Sequence, residues 1–147
     1  MRSYIATLFL VLFLPSCALT WHTAPRYRYD AGAAAELQGR AEAWCTEQGH
    51  PAGVPIRPFY TDGCTHWWDG YLTNQWQEAC VSHDIAYWCG GSAELRRKAD
   101  GRLRDDVGGL MGKIMWIGVR PLGHPSLPAG RSHWGFGTGY KLGYPEE

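Results

Sequence analysis

The residues best suited to chemistry form one short run, Cys80-Val81-Ser82-His83-Asp84-Ile85-Ala86-Tyr87, with Asp62-Gly63-Cys64 upstream and Asp100 downstream. A histidine held by a carboxylate suits general-base work. The carboxylate orients the ring through one nitrogen and steadies the imidazolium formed when the other nitrogen takes a proton. Trp76, Cys80, His83 and Tyr87 recur at i, i+4, i+7 and i+11, which is one helical face. Gly90-Gly91 ends that helix and Ser92 caps the next, with Glu94 in its first turn. So short a connection predicts an antiparallel hairpin. With Gly91 as the turn, His83 lies eight residues before it and Asp100 nine after, so at 1.5 Å per residue they stand at nearly the same height. Asp100 shares a face with Leu103 and Val107, so His83 and Asp100 are expected to meet across the hairpin. Taken alone, a facing His–Asp pair is also a satisfied core hydrogen bond.

Asp84 is one helical turn after Cys80. If Cys64 bonds to Cys80, the loop Tyr60-Thr61-Asp62-Gly63-Cys64 is pinned beside Asp84, and Asp62 becomes a second carboxylate among loop carbonyls. That is a hard-oxygen site of the kind Ca²⁺ prefers. The plainer reading of Asp62-Gly63 is an Asx turn. Cys80, His83 and Cys89 also raise a zinc site, but their spacing is not that of a zinc finger and exported thiols oxidise.

Export is read from the N-terminus. Arg2 precedes the apolar run Ile5–Leu14, too short to span a bilayer and suited to a signal peptide, so residues 1–16 are expected to be removed. Leu14-Pro15-Ser16-Cys17 looks like a bacterial lipobox that would lipidate Cys17; ordinary cleavage after Ala18 is the rival. Residues 17–30 read as a tether and 31–147 as a single domain. Cys45, Cys64, Cys80 and Cys89 then form two disulfides, with three possible pairings. Fourteen basic residues balance fourteen acidic ones, which excludes a strongly basic nucleic-acid binder. An apolar fraction of 45% supports a packed core.

The elements that must position these residues are helical. Ala34, Leu37, Ala41, Trp44 and Cys45 predict a first helix over residues 31–48. Residues 49–72 form a long Pro/Gly-rich loop. Asn74 opens the second helix, with Gln77 in a capping-box arrangement. Leu95, Ala99, Leu103, Val107, Leu110 and Ile114 give the third an apolar stripe to about Trp116, with a kink or break at Gly108, Gly109 and Gly112. Beyond Arg120 irregular coil is expected to wrap the helices. The fold class is therefore mainly α: a small disulfide-stapled domain with an antiparallel helix hairpin and a long loop.

Residues 58–107 resemble secreted phospholipases A2, in particular the shorter bacterial and fungal branch of that superfamily. The likeness rests on the C-x-x-H-D-x-x-Y run from Cys80 to Tyr87, the Asp62-Gly63-Cys64 loop, and Asp100 followed by Leu103 and Asp106. It implies calcium-dependent hydrolysis of the sn-2 ester of phospholipids. His83 would be the general base and Asp100 would orient it, with Tyr87 as a buttress. The side chains of Asp62 and Asp84 with the Gly63 carbonyl would hold Ca²⁺. The chain departs from the animal enzymes at Ala79 and Ala86, where they carry cysteines, and lacks their Gly-rich calcium loop. The favoured disulfides are Cys64–Cys80 and Cys45–Cys89. A phospholipid membrane surface would be the substrate and the chain a monomer.

The remaining surface is read more plainly. His66-Trp67-Trp68 suits either a lipid-facing rim or core packing, and Arg96, Arg97, Lys98, Arg102 and Arg104 read as a solvated face. His22, His50, His124 and His133 support no assignment. Two other classes stay open: a non-catalytic envelope lipoprotein that binds lipid or a partner on the same scaffold, and a metal phosphohydrolase using His66, His83, Asp84 and a later Asp.

Overall fold

The computed structural model describes residues 31–48, 53–61, 63–64, 75–127, 133–138 and 144. Residues 1–30, expected to be a signal peptide, the lipidated Cys17 and a tether, lie outside them, as do Asp62 and the His66-Trp67-Trp68 run. Four helices and no strand are present among the described residues: α1 (Ala31–Glu47), α2 (Gln77–Cys89), α3 (Ala93–Val107) and α4 (Gly109–Leu122). None is long and apolar enough to cross a membrane.

Helix α2 is the hub. Its Val81, Ile85, Ala86, Tyr87 and Trp88 are buried, and they meet Leu37 and Ala41 of α1, Ala99 of α3, and Trp134 and Phe136 of the tail. Two disulfides fasten its ends: Cys64 to Cys80 in the first turn and Cys45 of α1 to Cys89 at the last residue. Arg40 adds polar ties from α1, donating to Glu78 at 2.9 Å and to Ser82 at 2.8 Å. The expected capping box is not formed. The helix starts at Gln77 with Trp76 as its N-cap and no side-chain cap, so Gln77 sits at the first helical position, not the third. Asn74 lies outside the described residues.

Gly90 and Gly91 carry φ of 81° and 107°, which a side chain would resist, and they turn the chain into α3. Ser92 caps α3 as expected, accepting from Leu95 N at 3.2 Å. The expected third helix is divided at Gly108. Consecutive positive φ values at Gly108 and Gly109 turn the chain, and α4 packs back on α3. The stripe from Leu95 therefore does not continue: Leu110 is 73% exposed and Ile114 41%, whereas Met115 and Gly112 turn inward. At Gly112 an added Cβ would lie 2.1 Å from the Arg104 carbonyl oxygen. This close approach lets Met115 pack with Leu103, Cys64 and Cys80 in a second apolar cluster.

Helix α4 also runs past the expected end near Trp116, and past Arg120 where coil was expected, through Pro121 to Leu122. Pro121 lacks the N–H for an i→i−4 bond, and the helix ends one residue later. The tail then wraps the end of α2, with Gly135 N donating to Tyr87 O at 2.6 Å, Gly137 N to Trp88 O at 3.0 Å, and Trp134 Nε1 to Gly91 O at 2.7 Å.

Two glycine substitutions should separate the packing contact from helix propensity. Gly112→Ala should cost about 1–3 kcal/mol by forcing α3 and α4 apart. Gly101→Ala, in α3 with open space around it, should stabilise by about 0.5–1 kcal/mol. Urea unfolding of both variants checks the opposite signs.

Candidate active site

The site grows from a buried carboxylate. Asp100 on α3 is fully buried, and isolated burial of that charge would be costly. Four groups answer it. His83 Nε2 lies 2.9 Å from Oδ1 and Tyr87 Oη donates to the same oxygen at 2.8 Å. Arg120 Nη1 of α4 donates to Oδ2 at 2.7 Å, and Arg96 Nε stands 3.9 Å from Oδ2. Burial alone would raise the Asp100 pKa, but the hydrogen bonds from His83, Tyr87 and Arg120 and the nearby charges hold it below the usual carboxylate range. An anionic Asp100 accepts, so the Nε2 proton of His83 is assigned to this bond. Nδ1 is then the ring's basic nitrogen, and it has no hydrogen-bond partner among the described residues.

Tyr87 packs in the core and bonds the carboxylate. Its ring lies 4.2 Å from that of His83 and 5.1 Å from that of Trp134, while its hydroxyl bridges Asp100 and Arg96. Desolvation, followed by the negative charge of Asp100, pushes the phenol pKa up, so Tyr87 stays a neutral donor.

Arg96 is the main correction. It was expected on a solvated face, yet it is 1% exposed. Its guanidinium donates to Tyr87 Oη at 3.2 Å, Tyr144 Oη at 3.0 Å, Val119 O at 3.1 Å and Arg120 O. The last two are carbonyls in the final turn of α4, where positive charge is favoured; Val119 O also accepts from Gly123 N at 3.0 Å. Arg96 stands four residues before Asp100, an i,i+4 ion-pair spacing visible in the sequence. Arg120 gave no such signal, because only the reversal at Gly108 brings it to Asp100.

His83 also lines a cleft of about 390 Å³. Ala43, Trp44, Ala79, Ala86, Leu95 and Ala99 supply apolar wall, and Arg40, Lys98 and Arg102 are among its charged members. An apolar chain can therefore reach the ring of His83, with charge available at the same opening.

The expected calcium residues are placed in part. Asp84, on α2, is half-buried and accepts a hydrogen bond from the Thr61 hydroxyl, and Thr61 Oγ1 accepts from Gly63 N at 3.0 Å. The turn at Gly63, φ 73°, is thus held by the Thr61 hydroxyl. Asp62 lies outside the described residues. No three His, Cys, Asp or Glu side chains converge among the described residues. The fit to a cation rests instead on oxygen chemistry: the Asp84 carboxylate and the Thr61 hydroxyl meet, and Cys64, next to Gly63, is bonded to Cys80, one turn before Asp84. The rival zinc set fails, because Cys80 and Cys89 are both committed to disulfides.

No family model, curated protein or solved structure matches this chain.

The depressed Asp100 pKa has a definite sign. Its contribution to stability is present above the unfolded value of about 3.9 and is lost as pH falls through the folded value. Asp100→Asn should therefore be much less stable than the parent at pH 7, and the gap should shrink below pH of about 4. Urea unfolding of both proteins across that range checks it.

Proposed function

We propose that the chain is a calcium-dependent phospholipase A2 that cleaves the sn-2 ester of phospholipids. The observation that carries this reading is the buried His83–Asp100 pair, with Nε2 occupied by the carboxylate and His83 lining a cleft that has an apolar wall. The resemblance of residues 58–107 to the bacterial and fungal enzymes supports it. In its finer form, α2 and α3 are the antiparallel active-site hairpin and residues 49–72 are the loop that carries calcium ligands. Residues 1–16 are the signal peptide and Cys17 the lipidated anchor, which suits a domain that keeps two disulfides.

The chemistry assigned to the residues is as follows. Nδ1 of His83 takes a proton from water as the water oxygen attacks the ester carbonyl carbon. Asp100 stays ionised and stabilises the imidazolium. The imidazolium then returns its proton to the glycerol oxygen as the C–O bond breaks, leaving a fatty acid and a lysophospholipid. Asp84, Asp62 and the Gly63 carbonyl would hold Ca²⁺, which supplies positive charge for the developing oxyanion. Tyr87 fixes the carboxylate from the same side as His83.

Vesicles of mixed-chain phosphatidylcholine should release only the sn-2 chain, and chelation should stop the release. His83→Gln should lower turnover by about 10²–10⁴-fold while folding and calcium binding persist. Asp84→Asn should weaken calcium binding and turnover together. Full activity in His83→Gln would overturn the mechanism. Calcium binding by the parent without any lipid hydrolysis would favour a non-catalytic lipid-binding role.

A further inference from the structure

The dyad has a third member that the resemblance does not supply. Asp100 presents two oxygens. Oδ1 takes His83 Nε2 and Tyr87 Oη, both from α2. Oδ2 takes Arg120 Nη1 from α4 at 2.7 Å, the shortest contact the carboxylate makes. Arg96 approaches the same oxygen only to 3.9 Å, so it supplies charge there without a hydrogen bond. A carboxylate can rotate about its Cβ–Cγ bond, and any rotation that moves Oδ1 also moves Oδ2. A charge-assisted bond on Oδ2 therefore fixes the angle at which Oδ1 meets the imidazole.

The route by which Arg120 arrives is built into the fold. The Gly108–Gly109 reversal sends α4 back along α3, and the missing side chain at Gly112 allows the close approach. Arg96, buried beneath, takes the Val119 and Arg120 carbonyls and holds the last turn of α4 in place. The guanidinium of Arg120 itself is about one-third exposed, unlike that of Arg96.

We propose that Arg120 is a positioning residue, whose bond to Oδ2 sets the orientation of Asp100 and through it the orientation and tautomer of His83. The catalytic consequence rests on the phospholipase reading. The structural claim about the imidazole does not.

Two measurements separate the two. The first is nitrogen-15 NMR of the His83 ring at neutral pH in the full chain, with no lipid present. The parent should show a protonated Nε2 and a bare Nδ1. Arg120→Gln should give mixed tautomers, Arg120→Lys should restore most of the parent signal, and added guanidinium should restore it in Arg120→Ala because that position is open to solvent. The second is turnover on phosphatidylcholine vesicles. Arg120→Gln should lose about 10–100-fold in kcat, the scale of losing a support behind a reacting group, with KM within about twofold of the parent. A parent-like His83 spectrum in Arg120→Gln would overturn the proposal whatever the activity. If Arg120→Gln fails to fold, Arg120→Lys decides: a preserved tautomer supports the role of charge at Oδ2, and a scrambled tautomer in a folded Arg120→Lys overturns it. If the parent hydrolyses no lipid, the phospholipase reading falls while the NMR result still decides the role of Arg120.

Discussion

A single buried negative charge organises this protein. Asp100 is fully enclosed, and a carboxylate there is tolerable only when it is surrounded by donors. Its partners come from three helices: hydrogen bonds from His83 and Tyr87 of α2 and from Arg120 of α4, and the charge of Arg96 on α3 itself. Each helix must hold its angle for the set to close. The apolar clusters supply the attraction between helices, and the polar set chooses one arrangement among those that bury similar area. The same set leaves an imidazole with Nε2 held at Asp100 and Nδ1 without a hydrogen-bond partner among the described residues.

Charge is balanced locally around this centre. Arg96 answers Asp100, the Tyr87 hydroxyl and the terminal carbonyls of α4 together. Removing it would take the side-chain donor from the Arg120 carbonyl and a positive neighbour from Asp100, and losing partners is expensive for buried polar groups. Surface pairs such as Glu94 with Arg97, by contrast, are at least half exposed and contribute little. The stability of the site therefore depends on a few interior groups and not on the count of ion pairs.

Much of this was legible in the residues themselves. Helical spacing from Trp76 to Tyr87 and the short Gly-Gly-Ser connection were enough to pair His83 with Asp100, because local geometry decides both. The pairings Cys64–Cys80 and Cys45–Cys89 were favoured only alongside a family likeness, since four cysteines allow three connectivities. Arg96 was misread because five basic residues in one helix look like a solvated face, and a buried arginine announces itself only through partners distant in sequence. Arg120, Gly112 and the outward turn of Leu110 all depend on the reversal at Gly108. The glycines marked a break but did not give its direction. Asp62-Gly63 is the stronger turn signal in the sequence, and it hides Thr61, whose hydroxyl takes the Gly63 N–H.

The short reach of the contacts in the site has a kinetic meaning. His83 and Asp100 are 17 residues apart, and Asp100 and Arg120 are 20 apart. The Cys45–Cys89 bond spans 44. Loop closure favours near neighbours, and helical topologies with local contacts fold quickly. Residues 77–122 can thus condense around Asp100 while the thiols are still reduced, bringing Cys89 into place for Cys45 on α1. Oxidation then seals an arrangement that helix packing has already selected, so native pairing needs little reshuffling.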